Sequence, residues 1–154
     1  MRSSTSCSLR TGDVPHGHRS ASRADEGLVH AHYDAAVNHQ DLSRIDAQLT
    51  ADFVDHAMPP GTPRGPGPVK AWLTTLRRAF PDLHVVTDDV VAEGDRVAVR
   101  APWTGTHTDE IFGVAGTGRK VTFSGAVFWR IAGDRIAERW AFLDTPSLMR
   151  QLTA

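Results

Sequence analysis

An α+β domain is the fold this chain predicts, on three observations. Helical periodicity dominates its first half, long alternating strands dominate its second, and apolar residues crowd both arms of a hairpin that runs from Val121 to Asp144 about a tight Gly133-Asp134 turn. Neither face of that hairpin is plainly polar: Phe123, Val127 and Trp129 share one face of the first arm, and Ala126, Phe128 and Arg130 share the other. Cover from the rest of the chain is therefore expected on both sides. Three helices laid across one face of a curved antiparallel sheet leave a cone, closed at one end and open at the other, and such a cone can hold a ligand.

Taken in order, residues 1–24 contain Ser, Arg, Gly and His with almost no aliphatic side chains, too little to offset chain entropy, and are expected to be a disordered leader. His16 and His18 have the spacing of a metal pair, but no carboxylate or Cys nearby completes a site. The domain occupies 25–154. Its first helix carries Leu28, Val29, Tyr33, Ala36 and Val37 on one side, with His30, His32, Asp34 and Asn38 largely on the other. Leu42, Ile45 and Leu49 mark a shorter helix, and Phe53 and Val54 a short strand after it. Pro59 to Pro68 is a loop, and Pro68 opens a third helix with an apolar stripe through Trp72, Leu76 and Phe80. Leu83 to Val91 and Arg96 to Trp103 form a further hairpin, the glycines from Gly105 to Gly118 mark a loop, and Thr145-Pro146 starts a last short helix. That loop leads into a strand, so it lacks the context of a phosphate cradle.

Composition narrows the function. A chain of 154 residues fits one domain, and 40% hydrophobic with 23% charged residues is ordinary for a globular protein. A net charge of -1, with the seventeen Lys and Arg spread along the chain, argues against a nucleic-acid partner. No apolar run approaches the roughly 20 residues needed to cross a bilayer. The N-terminus lacks the apolar core of a secretory signal, and the single Cys7 can form no internal disulfide. A cytoplasmic protein is expected, binding a small, neutral or modestly charged molecule.

The segments AFPDLHVVTDDVVAEGDRVAVR (79–100), GTHTDEIFGVAGTGRKV (105–121) and FWRIAGDRIAERWAFLDTPSLMRQL (128–152) make the chain resemble the SnoaL-like polyketide cyclases. These belong to the NTF2-like superfamily, with ketosteroid isomerase, limonene epoxide hydrolase and scytalone dehydratase. The resemblance implies an NTF2-like cone, usually a homodimer through the outer face of the sheet, acting on small apolar molecules without metal or organic cofactor. In the cyclases an aspartate on the last strand and a histidine on its neighbour catalyse an intramolecular aldol closure. The matching segments place Ala141 and Val127 at those two positions, and neither can move a proton.

Proton abstraction beside a carbonyl needs a carboxylate or imidazole shielded from water. Asp144, at the end of the innermost strand, is one candidate, although an Asp before Thr-Pro also suits a helix cap, with the opposite effect on its pKa. His56, at the end of the short strand, is the other, although a lone His at a strand end also suits a surface or loop-anchoring role. Arg100, Arg130 and Arg139 either reach an outer face and pair with Glu138, Asp88 or Asp89 across strands, or one of them points into the cone to orient an anionic or carbonyl ligand. Arg139, two residues from Ala141, faces the cavity if Ala141 does. Tyr33, Trp72, Phe80, Trp103 and Trp129 offer an apolar lining for a flat guest, joined by His107 in the GTHTDE segment and by the small Val127 and Ala141.

The expectation is a cofactor-independent cyclase or isomerase acting on a small apolar carbonyl compound, with Asp144 and His56 as the acid/base residues. Two alternatives stand beside it: a non-catalytic small-molecule carrier or accessory subunit, and an epoxide hydrolase-like enzyme, for which Asp144 and Arg139 supply only part of the set.

Overall fold

The computed structural model describes residues 23–154. Cys7, His16, His18 and all of the expected leader except Arg23 and Ala24 lie outside that range, and those two residues open the first helix. Helix α1 (Arg23–Tyr33) has Asp25 and Glu26 in its first turn, where the positive end of the helix dipole favours carboxylates. It runs on as a π-helical segment, Asp34–Asn38, in which the His39 N–H donates to the Asp34 carbonyl at 2.7 Å and which buries Ala35, Ala36 and Val37. His32 was expected on the polar side of this helix. It is buried instead, because Gln48 supplies a hydrogen bond that lets an imidazole enter the core.

A 3₁₀ turn capped by Asp41 leads into the short α2 (Ile45–Gln48), and Leu49 already belongs to strand β1 (Leu49–Asp55). Helix α3 (Pro66–Ala79) begins two residues before the expected Pro68, with Pro66 in its first turn. The strand expected over Leu83 to Val91 is broken into β2 (His84–Val85) and β3 (Asp89–Glu93), both paired with β4 (Arg96–Thr106). The break faces Pro102, whose carbonyl accepts from the Val86 N–H at 3.1 Å but which has no N–H to return. Strands β5 (Lys120–Ala132) and β6 (Arg135–Leu143) and helix α4 (Thr145–Thr153) complete the chain. Gly94 and Gly133, with φ of 60° and 63°, each open a two-residue hairpin loop in the left-handed conformation a side chain disfavours.

The sheet order is β1-β6-β5-β4-β2, with β3 also on β4. Its hairpins are antiparallel as expected, but β1 joins β6 in parallel, so the sheet is mixed. A register shift between Arg130 and Ile131 bends the β5–β6 pair, which helps the curved, unclosed sheet wrap α1 and α3. The alternation Val97, Val99, Ala101 and Trp103 points inward along β4, as the sequence pattern requires, and Val127, Trp129 and Ile131 do so along β5. The helices cover this inner face alone. On the outer face Phe128 and Phe142 stay 46% and 65% exposed, so the hairpin is not sheathed on both sides within its own chain. No described helix is long and apolar enough to cross a membrane.

Candidate functional site

The parity of β6 builds the site. With Ile136 fully buried and a register that sets Arg139 opposite Trp129 and Ala141 opposite Val127, the odd-numbered residues from Arg139 onward line the inside of the cone. On the other side of β6, the parallel pairing sets Asp55 of β1 opposite Arg139. Arg139 Nη1 donates to Asp55 Oδ2 at 2.7 Å, with the two side chains 18% and 6% exposed. Among the described residues this is the guanidinium's one hydrogen bond. The guanidinium also lies over the Trp129 ring, 5.6 Å from its centroid. Stacking on an aromatic face holds the planar fork in place while leaving its remaining N–H groups available.

Around this pair lies a cavity of about 440 Å³, lined by Asp55, Met58, Trp72, Phe112, Arg139 and Ala141 among others. A second chamber of about 50 Å³ goes deeper, against Phe80, Trp103 and Phe123, and shares Trp72, Phe112 and Arg139 with the first. Among the described residues, Asp55 and Arg139 are the only ionisable side chains lining the two chambers. Among the described residues no group of three His, Cys, Asp or Glu side chains is placed to hold a metal ion.

Two titratable groups lie deeper still. His32 donates from Nδ1 to Gln48 Oε1 at 3.1 Å, since the Gln48 amide nitrogen is engaged with the Ala31 carbonyl, and packs edge-on to Trp129. Burial lowers its pKa to about 4, the nearby Arg139 charge acting the same way and the Gln48 hydrogen bond opposing both. Tyr33 packs edge-on to Trp103 and Trp129, and burial pushes its hydroxyl up to about 12. Both are neutral at physiological pH. Because His32 takes up a proton in the unfolded chain near pH 6.5 but in the folded one only near 4, unfolding binds protons across that window. Stability therefore decreases by about 3 kcal/mol as pH falls through it. Urea unfolding between pH 7 and 4 checks this, with His32→Gln expected to flatten the slope.

The remaining expected site residues fall in different places. Trp72 lines both chambers and Phe80 and Trp103 the inner one, while Tyr33, Val127 and Trp129 are buried behind the lining. His56 is on the wrong face for the cavity. One residue beyond Asp55, it emerges on the outer side of the sheet, where it stacks on Trp140 at 4.7 Å and meets Glu138 Oε2 at 2.8 Å. That hydrogen bond, with Arg130 beside it, holds the Glu138 carboxyl below its usual range. Asp144 is the cap of α4, accepting from the Ser147 N–H at 3.0 Å, and lines neither chamber. Asp144→Ala is expected to cost about 1 kcal/mol, read by thermal unfolding. His107 is fully buried against Phe80, where its Nδ1 accepts from the Thr117 N–H at 3.3 Å and anchors a loop rather than facing the cavity.

Asp55 and Phe112 were not singled out by the sequence. Asp55 had a usable signal, since the buried Phe53 two residues earlier shares its face. Phe112 had a weaker one, a Phe-Gly pair inside a glycine-rich segment.

With this geometry in view, comparison with known proteins identifies the lineage. The family model for SnoaL-like polyketide cyclase matches residues 27–152. The chain belongs to the SnoaL-like polyketide cyclase family. Among solved structures it resembles TsrD from Streptomyces laurentii at 27% identity and a TM-score of 0.78, over 85% of this chain and 96% of that one. It also resembles IdmH from Streptomyces antibioticus, a candidate polyketide cyclase, at 30% identity and a TM-score of 0.74, over 84% and 99% of the two chains. A candidate SnoaL-like polyketide cyclase from Jannaschia sp. CCS1 matches at 25% identity and a TM-score of 0.76, over 85% and 92%. No curated protein matches the chain. The shared architecture is the NTF2-like cone, and this SnoaL-like member carries an Asp–Arg pair in its cavity.

Proposed function

We propose that this SnoaL-like protein is a cofactor-independent enzyme that abstracts a proton next to the carbonyl of a small, largely apolar substrate and directs the enolate to cyclisation or isomerisation. One observation carries the proposal: the Asp55–Arg139 pair opens on a cavity otherwise lined mainly by apolar side chains. Among the described residues Asp55 is the only carboxylate there. Its Oδ2 accepts from Arg139 and its Oδ1 from the Ala57 N–H at 2.9 Å, and the second lone pair of Oδ1 is the proton acceptor. Arg139 keeps further N–H donors for the carbonyl oxygen, whose negative charge grows as the C–H bond breaks. The enolate carbon then attacks a second carbonyl of the same molecule, whose oxygen takes the proton from Asp55 as its π bond breaks, or a conjugated enolate takes that proton back at a different carbon. Within the family pattern, Ala141 and Val127 occupy the positions of the usual Asp and His, and the small Ala141 leaves room beside Arg139. Proton transfer is thereby moved from β6 to the end of β1.

Exchange of the acidic C–H protons of 2-tetralone with solvent deuterium, followed by NMR, tests the step. Exchange faster than in buffer is expected, and exchange at the buffer rate despite saturable binding would instead favour the carrier. Epoxide opening separates on labelled water, which only a hydrolase leaves in its product. The exposed Phe128 and Phe142 on the outer sheet face support a homodimer in solution, to be measured by light scattering.

A further inference from the structure

The segment between β4 and β5 is closed tightly at its base. The His107 N–H donates to the Arg119 carbonyl at 2.8 Å and the Gly118 N–H to the His107 carbonyl at 2.7 Å, above the buried His107 ring. Inside the loop Gly116 lies so close to Thr108 that a Cβ would sit 2.3 Å from its carbonyl oxygen. At the tip, Ile111 and Val114 exchange backbone hydrogen bonds of 3.1 and 3.0 Å around Phe112 and Gly113, with Ile111 buried as an anchor. Both tip residues are left-handed, with φ of 53° and 76°. That is the pattern of a type I′ turn, which favours Asn or Gly in both places and in which a bulky aromatic residue is out of character.

The Phe112 ring lies 6.1 Å from Trp72, is 50% exposed, and borders both chambers of the cavity. A residue that disfavours its backbone conformation, fixed on a stiff loop and leaving half its apolar surface in water, contributes little to the fold. Its position makes sense for what passes it. We infer that Phe112 is the specificity-determining residue at the cavity mouth, its ring excluding ligands too broad to slip between the loop tip and the sheet. This rests on the proposal that the cavity is the ligand site.

The test compares 1-anilinonaphthalene-8-sulfonate with its broader dimer, bis-ANS, by fluorescence titration. Phe112→Asn suits the turn and removes the ring, whereas Phe112→Tyr keeps it. Affinity for bis-ANS relative to the single dye is expected to rise about fivefold or more in Phe112→Asn and to stay at the wild-type ratio in Phe112→Tyr. The thermal midpoint of Phe112→Asn is expected to hold or rise, which loss of a packing residue would not give. An unchanged dye ratio in Phe112→Asn, or a midpoint lowered by more than about 3 °C, overturns the assignment. Failure of the cavity itself shows separately: if Ala141→Trp, which fills the space beside Arg139, leaves both dyes' affinities unaltered, the ligand site is elsewhere and the gate goes with it.

Discussion

Asp55→Asn is expected to slow deuterium exchange about 1,000-fold while changing ligand affinity no more than about threefold. The substitution keeps the shape of the side chain, and its amide oxygen can still accept from Arg139 at the expense of the bond Asp55 accepts from the Ala57 N–H, so the walls of the cavity remain largely in place. What it removes is, among the described residues, the only lining group able to take a proton, for the neighbouring His32 is hydrogen-bonded and buried and Tyr33 is a protonated hydroxyl. The loss should therefore appear in kcat and spare KM. Parallel kinetics of Asp144→Ala and His56→Ala supply the contrast: both residues line neither chamber, and their rates should stay near wild type.

Arg139→Met is expected to be the most destabilising change at the site. It leaves the Asp55 carboxylate, 6% exposed, without its one close cation, a defect that costs about 3–5 kcal/mol. In a chain of this size that lowers the thermal midpoint by roughly 10 °C. The companion variant Arg139→Met with Asp55→Leu should recover most of that loss, because two apolar side chains in an apolar cavity leave no buried charge uncompensated. It should nevertheless remain inactive. A stable but dead double variant would show that the ion pair is kept for chemistry, whereas a double variant as unstable as the single one would make the pair a structural element. Calorimetry and the exchange assay together read the distinction.

Much of the framework was legible because its signals are local. The Gly94-Asp95 and Gly133-Asp134 turns, the alternation along β4 and the start of α4 at Thr145-Pro146 each follow from a few neighbouring residues. That Arg139 and Ala141 share a face followed from period-two parity, while the inward direction of that face rested on the resemblance, which set Ala141 at a cavity position. What escaped depends on partners distant in sequence. Asp55 becomes a site residue only because β1 lies parallel to β6, which brings it against a side chain 84 positions away. His56 and Asp55 are neighbours in the chain with opposite destinations, so an uncertainty of one residue in strand parity exchanges a cavity group for an outer-face one. His32 is buried through Gln48, and no periodicity on α1 alone contains that information. Asp144 looked ambiguous because caps and bases call for the same residue type, and the Ser147 N–H decides for the cap.

The most direct measurement is a crystal structure of the protein with 2-tetralone bound. The proposed chemistry requires the ketone oxygen within hydrogen-bonding distance of the Arg139 guanidinium and the carbon that loses its proton facing Asp55, with Ala141 against the ring. A ketone lodged on the outer face beside Phe128 and Phe142, or one in the cavity with its oxygen turned away from Arg139, would contradict it.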